Sequence, residues 1–367
     1  MKWRWKLGRF AGIDVFVHAT FLLLIGWVAY SYWLESRTLS AVVTGILFIL
    51  ALFACVVLHE YGHALTARRY GIRTRDITLY PIGGAARLER MPDKPIEELW
   101  VALMGPAVNV VIAAILIAYL ALTDNLLPLN RLLIPTGPVS FIGRLASVNI
   151  FLVLFNLIPA FPMDGGRVLR AILAMTMDYV RATQIAASIG QGIAFLFGFI
   201  GLFSNPFLLF IAFFVWIGAA EESHMVQMKN SISGIPITRA MQTKFETLSI
   251  NDTLARVVSL ILSGSQQDFP VVNDGALVGV LTRDDFINAL SKNGQDTPVA
   301  TAMRRDLPTV DSHDMVETAV ARLQESGSKT LPVMHAGQFV GLITSENITE
   351  FLMIRSALKT ASGVTGI

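Results

Sequence analysis

Long uncharged runs alternate with short polar, basic segments through the first 222 residues, and then the pattern changes. From Ala41 to Leu58 there are 18 residues without a charge, most of the roughly 20 that a membrane-spanning helix needs. Similar runs predict six spans, near 15–34, 41–67, 97–122, 140–160, 182–203 and 206–222. Ser204-Asn205-Pro206 separates the last two as a tight turn. Beyond Glu222 the hydrophobic positions fall into short strand-like runs and amphipathic helical stretches. The pattern predicts a polytopic α-helical membrane protein of about six transmembrane helices, followed by a water-facing α/β unit.

Composition agrees. The chain is 53% hydrophobic and 15% charged, against about 25% charged in soluble domains. A net charge of +2 is too small to suggest a nucleic-acid partner. The single cysteine, Cys55, excludes an intrachain disulfide and a cysteine zinc site, and reads as a small buried hydrophobe. Lys2, Arg4, Lys6 and Arg9 lead into the first span without a small-residue cleavage pattern, so that span is expected to be retained.

Lys and Arg set the expected orientation. Four precede span 1, seven lie between Arg68 and Lys94, and Arg167, Arg170 and Arg181 follow span 4. The alternate loops carry only Arg37 and Arg131. Both termini are therefore expected to be cytoplasmic, in a multi-pass protein of the cell (inner) membrane.

Chemistry enters at His59-Glu60-Tyr61-Gly62-His63, near the end of the second span. Residues i and i+4 share one helix face, so both imidazoles can reach one metal ion, with Glu60 placed to act on water. His59 lies 18 residues past Ala41, about 27 Å down a helix crossing a core of about 30 Å. That depth predicts a water-filled cavity opening to the cytoplasm. Two histidines leave a catalytic zinc one protein ligand short. Asp164, in Asn156-Leu-Ile-Pro-Ala-Phe-Pro-Met-Asp164-Gly-Gly, follows span 4 and arrives at a similar depth among helix breakers. It reads as the third ligand or as the cap of a helix over 166–177. Thr74–Arg87 reads as a hairpin turning at Pro-Ile-Gly-Gly. Such a hairpin is either a docking edge for an unwound substrate or a plain structural element.

H-E-x-x-H in the second span and N-x-x-P-x-x-x-x-D-G in a later one resemble the site-2 protease family of intramembrane zinc metalloproteases, peptidase family M50. Gly8–His18, Ile77–Ala85 and Gly105-Pro106-Ala-Val-Asn109 extend the likeness over residues 8–222. The resemblance implies one zinc ion on His59, His63 and Asp164, with Glu60 as general base. It implies that Asn156 hydrogen-bonds substrate backbone or the developing oxyanion; a structural cap is the alternative. It further implies hydrolysis of peptide bonds in or near transmembrane segments of membrane-protein substrates. A metal-ion transporter or channel is the competing reading, though it needs neither Glu60 beside His59 nor the Asn156 segment. His18, His224, His313 and His335 receive no role.

The C-terminal part repeats with a period of 62 residues. Ala240-Met241 recurs as Ala302-Met303, Pro270-Val271 as Pro332-Val333, and Val278-Gly279 as Val340-Gly341. These copies resemble a tandem pair of CBS domains. The resemblance implies adenine-nucleotide binding in the clefts, through Thr282 and Asp285 of the first copy and Thr344 of the second, and a homodimer formed through the pair. Asn347 replaces the expected Asp in the second copy, which weakens that site. The expected domains are 1–222 (protease), 223–235 (linker), 236–296 and 297–356 (CBS copies) and 357–367 (tail), with the hairpin membrane-associated and the CBS pair cytoplasmic.

Overall fold

A computed structural model describes residues 3–92, 94–126, 128 and 139–363. Arg131 and the last four residues of the tail lie outside them. The chain divides into two compact units, Met1–Val226 and Gln227–Ile367.

The first unit opens with β1 (Arg4–Phe10) and β2 (Ile13–His18), then α1 (Phe21–Ser36) and α2 (Leu39–Arg69). The expected hairpin follows as β3 (Thr74–Tyr80) and β4 (Gly83–Leu88). Next come α3 (Pro95–Leu122), α4 (Phe141–Asn156), α5 (Asp164–Ala174), α6 (Tyr179–Phe203) and α7 (Pro206–Ile232). Four of these, α2, α3, α6 and α7, are long and apolar enough to cross a membrane. The helices α1 and α4 have 16 residues each, about 24 Å of length.

Two sequence expectations are corrected here. Residues 13–18 are strand, not the start of span 1: Ile-Asp-Val-Phe-Val-His is rich in β-branched and aromatic residues, and both its edges are paired. The last helix does not stop near 222 but continues to Ile232, so most of the expected linker is helical.

The sheet order is β1-β2-β3-β4, with β2 and β3 parallel and the other pairs antiparallel. Asp76 and Arg87 are cross-strand partners joined at 2.5 and 2.9 Å, and Arg4 on β1 reaches Asp76 at 3.3 Å. Because β4 ends the sheet, its outer edge has no strand neighbour among the described residues.

The helices meet through small residues and a few buried polar groups. Gly165 and Gly166 open α5 against the turn that precedes it. A Cβ on Gly165 would lie 2.3 Å from the Ile158 carbonyl oxygen, and one on Gly166 2.6 Å from the Ala160 carbonyl carbon. Only glycine allows that approach. Arg170, on the same helix, is fully buried. It donates to Glu98 Oε1 at 2.5 and 2.8 Å and to Glu222 Oε1 at 2.5 Å, and it lies over the rings of Phe161 and Tyr179.

The second unit carries two copies of one motif. The first is β5 (Leu248–Ser249), α8 (Leu254–Ser263), β6 (Phe269–Asn273), β7 (Ala276–Leu281) and α9 (Arg283–Asn293). After the short α10 (Val299–Ala302), the second is β8 (Val310–Asp311), α11 (Val316–Ser326), β9 (Thr330–His335), β10 (Gln338–Thr344) and α12 (Ser345–Gly363). Each three-stranded sheet closes on a two-residue hairpin, Asp274-Gly275 or Ala336-Gly337, with all four φ angles positive. The copies also exchange backbone bonds. Arg304, ahead of the second copy, pairs with Val280 of β7, while Gln242, ahead of the first, pairs with Leu342 of β10. Thr330 Oγ1 donates to Asp268 Oδ2, joining positions 62 residues apart.

Candidate active site and its metal ligands

On α2 the i, i+4 spacing puts His59 and His63 on the face toward α3, and both are buried. Asp164, in the first turn of α5, meets them there. Asp164 Oδ2 lies 3.1 Å from His59 Nε2 and 3.2 Å from His63 Nε2, and the two Nε2 atoms are 3.1 Å apart. The cap of α5 is Met163, and the Asp164 side chain makes no capping bond.

The donor set fits zinc. Tetrahedral ligands at about 2.0 Å from zinc are about 3.3 Å apart, close to the edges of this triangle. The outer ring nitrogens decide the tautomers. His63 Nδ1 donates to the Val101 carbonyl at 2.7 Å, and His59 Nδ1 to Asn109 Oδ1 at 2.5 Å. With both Nδ1 atoms protonated, both Nε2 lone pairs point at Asp164 Oδ2, a buried oxygen with no donor of its own. Three converging lone pairs repel one another unless a cation or proton lies between them. Imidazole and carboxylate are ordinary zinc donors, and carbonyl-oriented histidines are their usual support.

That support extends further than the motif. Asn109, fully buried on α3, donates to Asn149 Oδ1 on α4 at 2.8 Å. Asn149 in turn donates to the Leu145 carbonyl at 2.9 Å and faces Cys55 Sγ at 3.5 Å. Gly105 admits the rings: a Cβ there would be 2.2 Å from His63 Nε2 and 2.7 Å from His59 Nε2. Sequence reasoning quoted Gly105 and Asn109 only as marks of resemblance and missed Asn149. A buried asparagine inside an apolar run was the available signal, since such a group needs partners. Cys55 is buried, as read, and stands outside the ligand triangle.

Glu60 and Asn156 line one cavity of about 390 Å³ with His59, Phe53, Pro81, Gly83 and Phe155. Glu60 Oε2 accepts from the Ala86 backbone N–H of β4 at 3.2 Å. Asn156, the last residue of α4, donates to the Leu152 carbonyl at 3.0 Å. Glu60, the Asn156 amide and His59 thus share the cavity with the turn of the hairpin.

In the second unit, Thr282 lines a cleft of about 290 Å³ with Asp268, Arg283, Arg304, Lys329 and Glu346. Asp285 does not offer a free carboxylate. Arg304 donates to both its oxygens, at 2.5 and 3.0 Å, and Thr282 Oγ1 adds a third bond at 2.5 Å. These partners hold the Asp285 carboxyl below its usual range against the opposing effect of burial. Thr344 Oγ1 donates to Asn347 Oδ1 at 2.9 Å, so the second copy keeps the local bond without the charge.

The chain is similar to proteins of known family. The family model described as "Peptidase family M50" matches residues 47–199, and the CBS domain model matches 232–292 and 299–354. Zinc metalloprotease MJ0392 of Methanocaldococcus jannaschii is 31% identical over 355 residues, covering 96% of this chain and 97% of that protein. The solved structure of a site-2 protease from the same organism is 35% identical, covers 60% of this chain and 95% of the other, and superposes with a TM-score of 0.44. CBS domain-containing protein YhcV of Bacillus subtilis is 29% identical over 105 residues, 28% of this chain and 75% of that one. The converging histidines and carboxylate, the neighbouring glutamate and the end-to-end likeness identify the chain as a member of peptidase family M50, the site-2 protease family of zinc metalloproteases, carrying a C-terminal CBS pair.

Proposed function

We propose that His59, His63 and Asp164 hold one zinc ion, and that Glu60 is the general base for cleaving a substrate's transmembrane segment. The triangle of donor atoms 3.1–3.2 Å on a side carries this reading. Zinc, when bound, supplies a Lewis acid that polarises a carbonyl and acidifies water. Glu60, in the same cavity, takes a proton from the attacking water and returns it to the leaving amine. Asn156 offers its amide to the substrate backbone at the cavity wall. The outer edge of β4, where Glu60 already accepts from the Ala86 N–H, suits β-addition, which would hold the substrate extended. Extension matters because a helix hides its peptide bonds in its own hydrogen bonds.

Glu60→Gln tests the assignment. Cleavage of a reconstituted substrate should fall at least about 100-fold while zinc content stays at the wild-type level. Retained cleavage would refute the role of Glu60. The transporter reading is not favoured, because family membership and the placement of Glu60 account for the same residues.

The membrane arrangement is part of the proposal. Six spans are supported by the four long helices together with α1 and α4, which reach about 24 Å each. The basic segments favour cytoplasmic termini and a cytoplasmic CBS pair in a cell membrane. His59 lies 20 residues into α2, about 30 Å along it, so the site is near the cytoplasmic end. Domain limits of 1–222, 236–296 and 297–356 are retained, with the helical continuation joining them.

An adenine nucleotide in the CBS cleft is supported by Thr282 and by the basic groups Arg283, Arg304 and Lys329 around it. Binding through Asp285 requires Arg304 to yield the carboxylate, and Thr344 takes the lesser part. A homodimer through the pair is supported by the apolar groove of Met228, Ile232, Leu323, Leu352 and Met353. Sedimentation of the detergent-solubilised chain with and without ATP tests both.

A further inference from the structure

Both histidines of the C-terminal unit, His313 and His335, meet at one place beside Asp311. Strands β8 and β9 run parallel, with Asp311 opposite Met334. His335, the last residue of β9, therefore arrives beside the turn that carries His313 after β8. One ligand atom from each residue lies within 4.8 Å of the other two. His313 N donates to Asp311 Oδ1 at 2.9 Å, and His313 Nδ1 faces the same oxygen at 3.0 Å. Ser312 Oγ meets His335 Nδ1 at 2.8 Å, which leaves Nε2 as the ligand atom of that ring. The ring centroids are 5.0 Å apart. All three side chains are exposed, so their χ angles are free to adjust around an ion.

The internal repeat supplies a control. Ser249, Asn251 and Asn273 stand 62 residues earlier than Asp311, His313 and His335. The backbone pairing there is the same, with Ser249 opposite Val272 as Asp311 is opposite Met334. The fold therefore does not require metal-binding side chains at these positions, and only the second copy has them, at all three.

We propose that Asp311, His313 and His335 bind a second divalent transition-metal ion on the surface of the second CBS copy, apart from the membrane triad. Two imidazoles and one carboxylate favour zinc, cobalt or nickel over magnesium or calcium, which take oxygen ligands. Water completes the shell. An exposed site with three protein ligands exchanges its metal readily, so its occupancy follows the free metal concentration.

The full-length chain in detergent, stripped with chelator, is equilibrated by dialysis against zinc and its metal content measured. The wild type should bind two zinc ions per chain, and His313→Asn/His335→Asn one. This variant carries the residues of the first copy, so its fold should be kept. Asp164→Ala should retain the surface ion, which separates this proposal from the assignment of the membrane triad. As a second readout, zinc should raise the unfolding temperature of the C-terminal unit in wild type but not in the double variant. Equal zinc content in wild type and double variant, or a difference seen only at millimolar free zinc, would overturn the proposal.

Discussion

One methyl group added at Gly105 tests the geometry of the metal centre more sharply than removing a ligand does. In Gly105→Ala the new Cβ would lie 2.2 Å from His63 Nε2, 2.4 Å from its Cε1 and 2.7 Å from His59 Nε2. Ordinary contact begins at 3.4 Å, so His63 Nε2 must retreat by about 3.4 − 2.2 = 1.2 Å. Metal–ligand distances tolerate about 0.2 Å. Neither ring can swing aside freely, because Val101 and Asn109 hold the opposite nitrogens. The variant keeps every ligand and the base, yet the donor atoms no longer converge. Loss of a histidine's supporting partner costs about 10- to 100-fold in affinity; a displacement this large should cost at least about 100-fold. Zinc competition against a chromophoric chelator measures it, and cleavage should fall in parallel. Gly26→Ala and Gly192→Ala are the controls: both are helical glycines with nothing within 4 Å of the added carbon. They should leave zinc affinity unchanged and stabilise the chain slightly. Wild-type zinc affinity in Gly105→Ala would refute the proposed convergence of the rings.

Asn109→Ala removes the acceptor on His59 Nδ1, and chelator competition should show zinc affinity reduced about 10- to 100-fold; Asn149→Ala, one bond further out, should show a smaller loss. Arg170→Met leaves Glu98 and Glu222 facing each other without a cation and should cost about 3–5 kcal/mol. Thermal unfolding in detergent should show that loss, and Arg170→Met/Glu98→Gln/Glu222→Gln should recover part of it. The Asp285–Arg304 pair predicts a pH effect of known sign. Its folded carboxyl is depressed, so its stabilisation is complete above the unfolded value of about 3.9 and is lost as pH falls through the lower folded value. The difference in unfolding temperature between wild type and Arg304→Gln should therefore be steady near neutrality and shrink below about pH 4; a difference that grows in acid would contradict the pairing.

The three proposed ligands were legible for two different reasons, a local spacing and an out-of-place carboxylate. His59 and His63 announce a shared helix face, and Asp164 stands out as a carboxylate between helix breakers in an apolar region. Their supports were not legible. Asn109 and Asn149 lie 50 and 90 residues after His59, and nothing in a single sequence links hydrogen-bond partners across helices. The hairpin at Thr74–Leu88 was readable from its turn, but its neighbour β2 was absorbed into span 1, since Ile13–His18 adjoins the apolar run of α1. Strand pairing between residues 62 apart, such as Val15 and Ile77, decided that case. In the C-terminal unit the 62-residue period gave the two copies, and Thr282 with Asp285 matched a ribose-binding signature. The capture of Asp285 by Arg304 depends on a side chain from the other copy's leader, which the signature does not encode.

The exchanged leaders limit where this chain can be cut. Arg304 bonds to the sheet of the first copy and Gln242 to that of the second, so neither sheet is finished by its own repeat. A fragment ending at 296 would expose the β7 backbone that Arg304 covers, and one starting at 297 would expose Leu342. Each half would present a bare strand edge, a template for self-association. The pair is thus the smallest piece to express or transplant.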